Sequence, residues 1–410
     1  MKVLWFTNTS VNLDPKNYSG GWLQSLEKVL SKTNEYKLFI ATRARGKEKP
    51  GKFFVEQTTY FLVPDNRSIL RKRFDIFLNK EPHTYFLNKY LSIIDEVKPD
   101  IIQVFGSEMD YGMICGRTKV PVLIHIQGIL HPCYYYLNSV RLSFTQKIRI
   151  INLWDLIKGN TYQNVLETFK RRTENEFKIL SNCPNVLGRT NWDRRVMSIL
   201  APNARYFHGD EILREQFFKY TWSLKEKEKI QITSIISSAL YKGHDTISAT
   251  IKVLKTYGLN FKWNVIGYDR TSSAYKLFFK NYENEFEGLL EFHGGLNPDQ
   301  LIEILMDSSL YVHPSHIENS SNALCEAMAL GMPVIAMDVG GNSSIISHGD
   351  DGIITPDNDP FSLSGVILEL IKDKTKSAFL GANARKRAFE RHNPERIVSE
   401  LKKVYLDLVK

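Results

Sequence analysis

Two glutamates, Glu318 and Glu326, stand eight residues apart in the stretch YVHPSHIENSSNALCEAMALGMPVIAMDVGG, residues 311–341. An ionised carboxylate only accepts hydrogen bonds, which suits it to sugar hydroxyls. On a single helix the two would lie about 80° apart at ~100° per residue, but the residues around them argue for a different arrangement. Pro314 stops an apolar strand that ends with Tyr311 and Val312, and residues 315–319 form a loop. Ser320 or Ser321 caps a helix whose apolar positions are Ala323, Leu324, Ala327, Met328 and Leu330. Gly331 ends that helix, Pro333 prevents its continuation, and residues 334–337 make the next strand. Glu318 therefore precedes the helix and Glu326 lies in its second turn. Between them the helix start offers N–H groups without intrahelical partners at the positive end of its dipole, an anion site suited to phosphate.

The rest of the chain supplies strands and helices to position such a site. Residues 2–7 (KVLWFT) read as a buried strand, followed by a polar loop ending in Gly20 and Gly21 and by a helical stripe of Trp22, Leu26, Val29 and Leu30. Strand, glycine loop and helix give a geometry for approaching phosphate, although a G-x-G-x-x-G is absent and a glycine pair is also an ordinary turn. Residues 37–42, 60–63, 100–105 and 121–126 read as further strands, with a helix over 87–97, and Glu108 and Gln127 fall just past strand ends. The pattern restarts at 229–237, continues through strands at 262–267 and 290–294, and closes with amphipathic helices over 361–372 and 395–409. Strands alternating with helices predict doubly wound parallel sheets, whose ligands bind beyond the carboxyl ends of the strands. A short strand at 185–189 and a helix to Leu200 precede a linker expected near residues 205–210.

At 410 residues the chain is too long for one core. Its four cysteines are scattered without a C-x-x-C, which points to a reducing, cytoplasmic setting. The longest near-apolar run, residues 120–130, contains His125 and Gln127 and is too short to span a bilayer, and no signal-peptide pattern is evident. The net charge of +9 is uneven: residues 1–205 carry +13 and residues 206–410 carry −4. A basic half predicts an acidic partner, or simply a solvated basic surface. Residues 131–172 mix tyrosines with Arg141, Lys147, Arg149, Lys158, Lys170, Arg171 and Arg172, as an anionic membrane surface would require; a helical lid with ordinary core aromatics is the competing reading. Nucleic acid is not an expected partner, because no recognised module is present. No metal is expected either. The one D-x-D, Asp357-Asn358-Asp359, sits between prolines and reads as a surface turn, and His313 and His316 read as structural.

Lys242-Gly243, residues 264–267, Phe292-His293-Gly294, Pro314-Ser315-x-x-Glu318, the segment from Glu326 to Ala336, Gly340-Gly341 and Gly352 together resemble the retaining glycosyltransferases of family 4. The glutamates match that family's E-x7-E motif, and the resemblance extends more weakly over the first half. It implies the α/β GT-B fold: two Rossmann-like doubly wound domains facing across a cleft. Residues 1–205 would form the acceptor-side domain, 206–390 the nucleotide-sugar domain, and 391–410 a helix crossing back to the first. Glu326 would bind the nucleotide ribose, Glu318 would hold the donor sugar, and the amides of Asn322 and Ala323 would bind the diphosphate. Lys242 would neutralise the diphosphate as it leaves. Gly20 and Gly21 would let a loop approach the donor closely, and Gly267 and Ser238 join the donor-binding set.

The departures bear on selectivity. Residues 319–322 (NSSN) replace the family's common Gly-Phe-Gly-Leu, and Ser237-Ser238 stands where a second cation is usual. Gln127-Gly128 replaces His-Gly, so Gln127 is assigned to the donor sugar, with His125 read as turned away. The resemblance implies a metal-independent hexosyl- or N-acetylhexosaminyltransferase without a cofactor. It would use a nucleotide sugar, with UDP expected, and a glycan or polyprenyl-diphosphate-linked acceptor in surface polysaccharide biosynthesis. Its location would be cytoplasmic, peripheral on the inner membrane face. A non-catalytic nucleotide-sugar or lipid binder, or a phosphorylase or epimerase on the same fold, are the alternatives.

Overall fold

Alternation at every second residue decides the first sheet. In β1 (Lys2–Phe6), Val3 and Trp5 enter one apolar cluster while Leu4 and Phe6 enter another, so both faces of the strand are covered. The computed structural model describes residues 1–13, 21–33, 35–44, 48–68, 70–71, 83–140 and 162–410. β1 is followed by β2 (Lys37–Arg43), β3 (Gly51–Val55), β4 (Thr58–Val63), β5 (Ile101–Phe105), β6 (Val122–His125), β7 (Asn185–Gly188) and β8 (Arg205–His208). They form one sheet in the order β3-β4-β2-β1-β5-β6-β7-β8. Every pairing is parallel except β3 with β4.

The second sheet contains β9 (Ile230–Ile235), β10 (Phe261–Ile266), β11 (Leu290–Phe292), β12 (Leu310–His313), β13 (Val334–Met337) and β14 (Ile353–Thr355). All its pairings are parallel, in the order β11-β10-β9-β12-β13-β14. Trp263 and Val265 of β10 pack into the cluster on one face, and Ile266 of the same strand into the cluster on the other.

The chain divides into two compact units, one of residues 1–131, 168–212 and 393–410, the other of residues 132–167 and 213–392. The linker expected at 205–210 is instead largely β8, because Arg205–His208 pairs with Asn185–Gly188 as the sheet's edge strand. Residues 132–167 group with the second unit rather than the first. The final helix, Pro394–Val409, belongs to the first unit. Its Ile397, Leu401, Val404 and Tyr405 join the cluster of Val3 and Trp5. Tyr405 Oη accepts from Trp5 Nε1 at 3.3 Å and donates to Gln103 Oε1. The middle of the basic aromatic stretch, residues 141–161, lies outside the described residues, and among the described residues no helix is long and apolar enough to cross a membrane.

Candidate functional site

β9 and β12 are neighbours, with β10 and β11 beyond one and β13 and β14 beyond the other. Doubly wound sheets bind ligands at the carboxyl ends of strands at such a reversal. The loop after β9 carries Lys242 and the loop after β12 carries Glu318. Lys242 closes a short 3-10 turn, Leu240–Lys242, and Gly243 follows with φ 77°. A Cβ on Gly243 would strike the Pro314 carbonyl, so the two loops meet only because that residue is glycine. Lys242 Nζ donates to Glu318 Oε2 at 2.7 Å, and His313 Nε2 lies 3.0 Å from the same oxygen. Burial opposes ionisation of Glu318, but Lys242 and His313 outweigh it and hold the carboxyl well below its usual range. An ionised carboxylate can only accept, so His313 donates from Nε2. Gly341 N donates to the Glu318 carbonyl at 3.0 Å, and Gly340, with φ 52°, has no room for a Cβ against that carbonyl.

Eight residues on, the helix Asn322–Leu330 is capped by Ser321, whose hydroxyl accepts from Leu324 N at 3.3 Å. Asn322 and Ala323 are half-buried in its first turn, and Asn322 Oδ1 is buried without a hydrogen-bond partner. Glu326 is only 3% exposed, so it is not a surface glutamate. Arg214 grips it with a fork, Nε to Oε1 and Nη2 to Oε2, both at 2.7 Å. Burial pushes this carboxyl up, and the guanidinium opposes the push. The arginine lies over the Phe217 ring, 4.7 Å from its centroid. Arg214 is thus an arginine of this unit engaged by Glu326, at a separation in sequence that no motif spacing could reveal.

Gly267 follows β10 with φ 116°, its N–H donating to Gly294 O at 2.7 Å, and Ser238 is exposed beyond the end of β9. The structure therefore brings Lys242 and Glu318 into direct contact. It sets Asn322, Ala323 and Glu326 on the adjoining helix, and leaves Gly267 and Ser238 on the flanking loops. In the first unit, Gly21 opens the helix Gly21–Ser31, while Gly20 lies outside the described residues. Gln127 follows β6, in a turn whose Gly128 N donates to Glu108 Oε1 at 2.9 Å. His125 is buried, its Nδ1 3.0 Å from Gln103 Nε2. Both aspartates of the D-x-D are engaged: Asp357 with His316 at 2.6 Å, and Asp359 as the cap of the helix Pro360–Lys372. His313 and His316, expected to be structural, both lie on the Glu318 loop or its strand and have carboxylate partners.

The profile of the family described as Glycosyl transferases group 1 matches residues 216–387. Among similar proteins, N-acetyl-alpha-D-glucosaminyl L-malate synthase of Bacillus anthracis is 28% identical over 192 residues, 47% of this chain and 49% of that protein. The capsular polysaccharide biosynthesis glycosyltransferase CapM of Staphylococcus aureus is 27% identical over 177 residues, 41% of this chain and 44% of that protein. The chain thus spans about half the length of the curated relatives it matches. Likeness of fold extends further. Sucrose-phosphate synthase from Thermosynechococcus elongatus superposes with TM-score 0.75 at 15% identity, covering 99% of this chain and 98% of that one. Anabaena Alr3699/HepE, solved with UDP and glucose, superposes with TM-score 0.68 at 14% identity, covering 99% and 100%. The chain has the GT-B fold.

Proposed function

We propose that the protein is a retaining, metal-independent glycosyltransferase. It moves a hexosyl or N-acetylhexosaminyl group from a UDP-sugar to a lipid-linked or oligosaccharide acceptor in surface polysaccharide biosynthesis. The observation that carries this reading is the ion pair of Lys242 with Glu318, which lies in the loop that leads into the helix that holds Glu326. In the reaction the anomeric C–O bond breaks and its electron pair leaves with the diphosphate. The acceptor oxygen bonds to the same face of the anomeric carbon, and its proton passes to the departing phosphate. Lys242 and the amides of Asn322 and Ala323 stabilise the charge that gathers on the diphosphate. Glu318 orients the sugar, and Glu326 accepts from the ribose hydroxyls. From the first unit, Gln127 would contact the sugar, and Gly20 and Gly21 would permit close approach of their loop. CapM's role in capsule synthesis and the UDP bound to HepE support the choice of acceptor class and base.

The direct test is a panel of UDP-, GDP- and ADP-sugars scored by release of nucleoside diphosphate. We expect release with a UDP-sugar and a fall of about 10²–10³-fold in Lys242→Ala, the scale for losing one stabilising donor. No release with any sugar would sink the enzyme reading and favour a binding-only member of the fold. The exposed serines 237 and 238, at the place of the usual second cation, are the observation that favours that second reading. We also propose peripheral attachment to an anionic membrane through residues 131–172; absence of co-sedimentation with anionic liposomes at low salt would refute it.

A further inference from the structure

The Glu318 loop has a second anchor at another of its polar residues, His316. His316 is buried, and both ring nitrogens face carboxylates: Nε2 lies 2.8 Å from Asp245 Oδ1 and Nδ1 lies 2.6 Å from Asp357 Oδ1. Asp245 stands in the first turn of the helix His244–Tyr257, three residues after Lys242, and Asp357 follows β14. The ring also stacks on Tyr136, with centroids 5.0 Å apart and planes at 17°. Its backbone N–H donates to Tyr241 O at 2.9 Å, beside Lys242. One side chain therefore ties the loop after β12 to the loop and helix after β9, to the turn after β14, and to the helix Leu130–Ser139.

Two carboxylates can each receive a proton from one imidazole only if it is the doubly protonated cation. Burial works against that charge, but Asp245 and Asp357 overcome it and raise His316 to about 9. Lys242 is a positive group nearby, whereas His244, held low, to about 4, chiefly by burial, is neutral around pH 7. Asp245 in turn is lowered by its bond to His316 against the opposing effect of burial.

We propose that His316 is a positioning residue for the proposed transfer: clamped between Asp245 and Asp357 and stacked on Tyr136, it holds the Glu318 loop against the Lys242 loop. The catalytic part of this inference rests on the reading given under Proposed function, while the clamp itself does not. The sign of the pH effect is fixed. A histidine raised above its unfolded value of about 6.5 stabilises the fold fully below that pH, and the contribution is lost as pH rises through about 9. The loop should therefore loosen on the alkaline side.

The test compares wild type with His316→Gln and with Asp357→Asn, a milder change in case the first does not fold. Three readouts are used: amide exchange over residues 315–321, the titration of the His316 ring by NMR, and kcat and KM for the best UDP-sugar from pH 6 to 10. We expect the wild-type ring to titrate near 9 and to move toward the ordinary value in Asp357→Asn. Exchange in the loop should rise at least tenfold in either variant, on the order of 1.4 kcal/mol. The value of kcat should drop about tenfold or more at pH 7 with KM little changed, and the wild-type alkaline limb near 9 should vanish in His316→Gln. An ordinary ring titration, or unchanged loop protection in a folded variant, would overturn the clamp. A clamp that passes both readings while kcat keeps its wild-type value and limb would overturn the positioning role. If wild type releases no nucleotide from any sugar, the transferase reading falls, and ring titration and exchange still decide the clamp.

Discussion

Glu318 and Glu326 belong to one sequence motif and one unit, yet their surroundings treat them in opposite ways. Glu318 lies in the loop after a strand, where Lys242 and His313 more than offset burial and keep the carboxylate charged. Glu326 lies inside a helix, where burial pushes its carboxyl up and a single arginine fork opposes that. Two loops held by glycines build the first environment, and a distant segment folding onto the helix builds the second. The difference teaches that equal side chains in one motif need not share a task. Glu318 is a fixed charge within a cluster. Glu326 is an acceptor whose partner is part of the site's scaffold.

The largest effect should come from breaking the second environment. Arg214→Ala leaves Glu326 buried without its cation and should cost about 3–5 kcal/mol of stability, measured by denaturant unfolding. A loss under 1 kcal/mol would mean that the fork contributes little and that the contrast between the glutamates is overdrawn. Next in size, Glu326→Ala should weaken UDP binding by about 1–3 kcal/mol for lost charged hydrogen bonds, by calorimetry. If stability falls and UDP affinity does not, Glu326 serves only to hold Arg214. The smallest effect should follow Ser321→Ala, which removes the cap between the two environments and should cost about 1 kcal/mol, visible as a lower Tm. No change in Tm would show that the helix start is held by its packing rather than by Ser321.

Much of this contrast was legible in advance, and its limits have a physical cause. Pro314, the capping serines and Gly331 place Glu318 before the helix and Glu326 within it, and the structure agrees, choosing Ser321 as the cap. The strand pattern in both halves also survives, because alternation and short apolar runs are local properties. Contacts made across long stretches of chain leave no local mark. Arg214 pairs with Glu326 from 112 residues away and His316 with Asp245 from 71, and neither spacing has a period to detect. The mistaken linker has the same origin. Residues 205–208 are polar enough to read as a connection, and only pairing with β7 makes them a strand.

The last helix has a consequence for the order of events during synthesis. The first unit needs residues 393–410 to bury Trp5 and to bring Tyr405 between Trp5 and Gln103. Its other segments end at residue 212. A ribosome adding roughly 5–20 residues per second therefore takes about 10–40 s to make the intervening chain. Throughout that interval the cluster of Val3, Trp5 and Ile40 lacks its last helix, while residues 213–392 of the second unit are still emerging. The first unit thus cannot complete this cluster until residues 393–410, which follow residues 213–392 of the second unit, have been made.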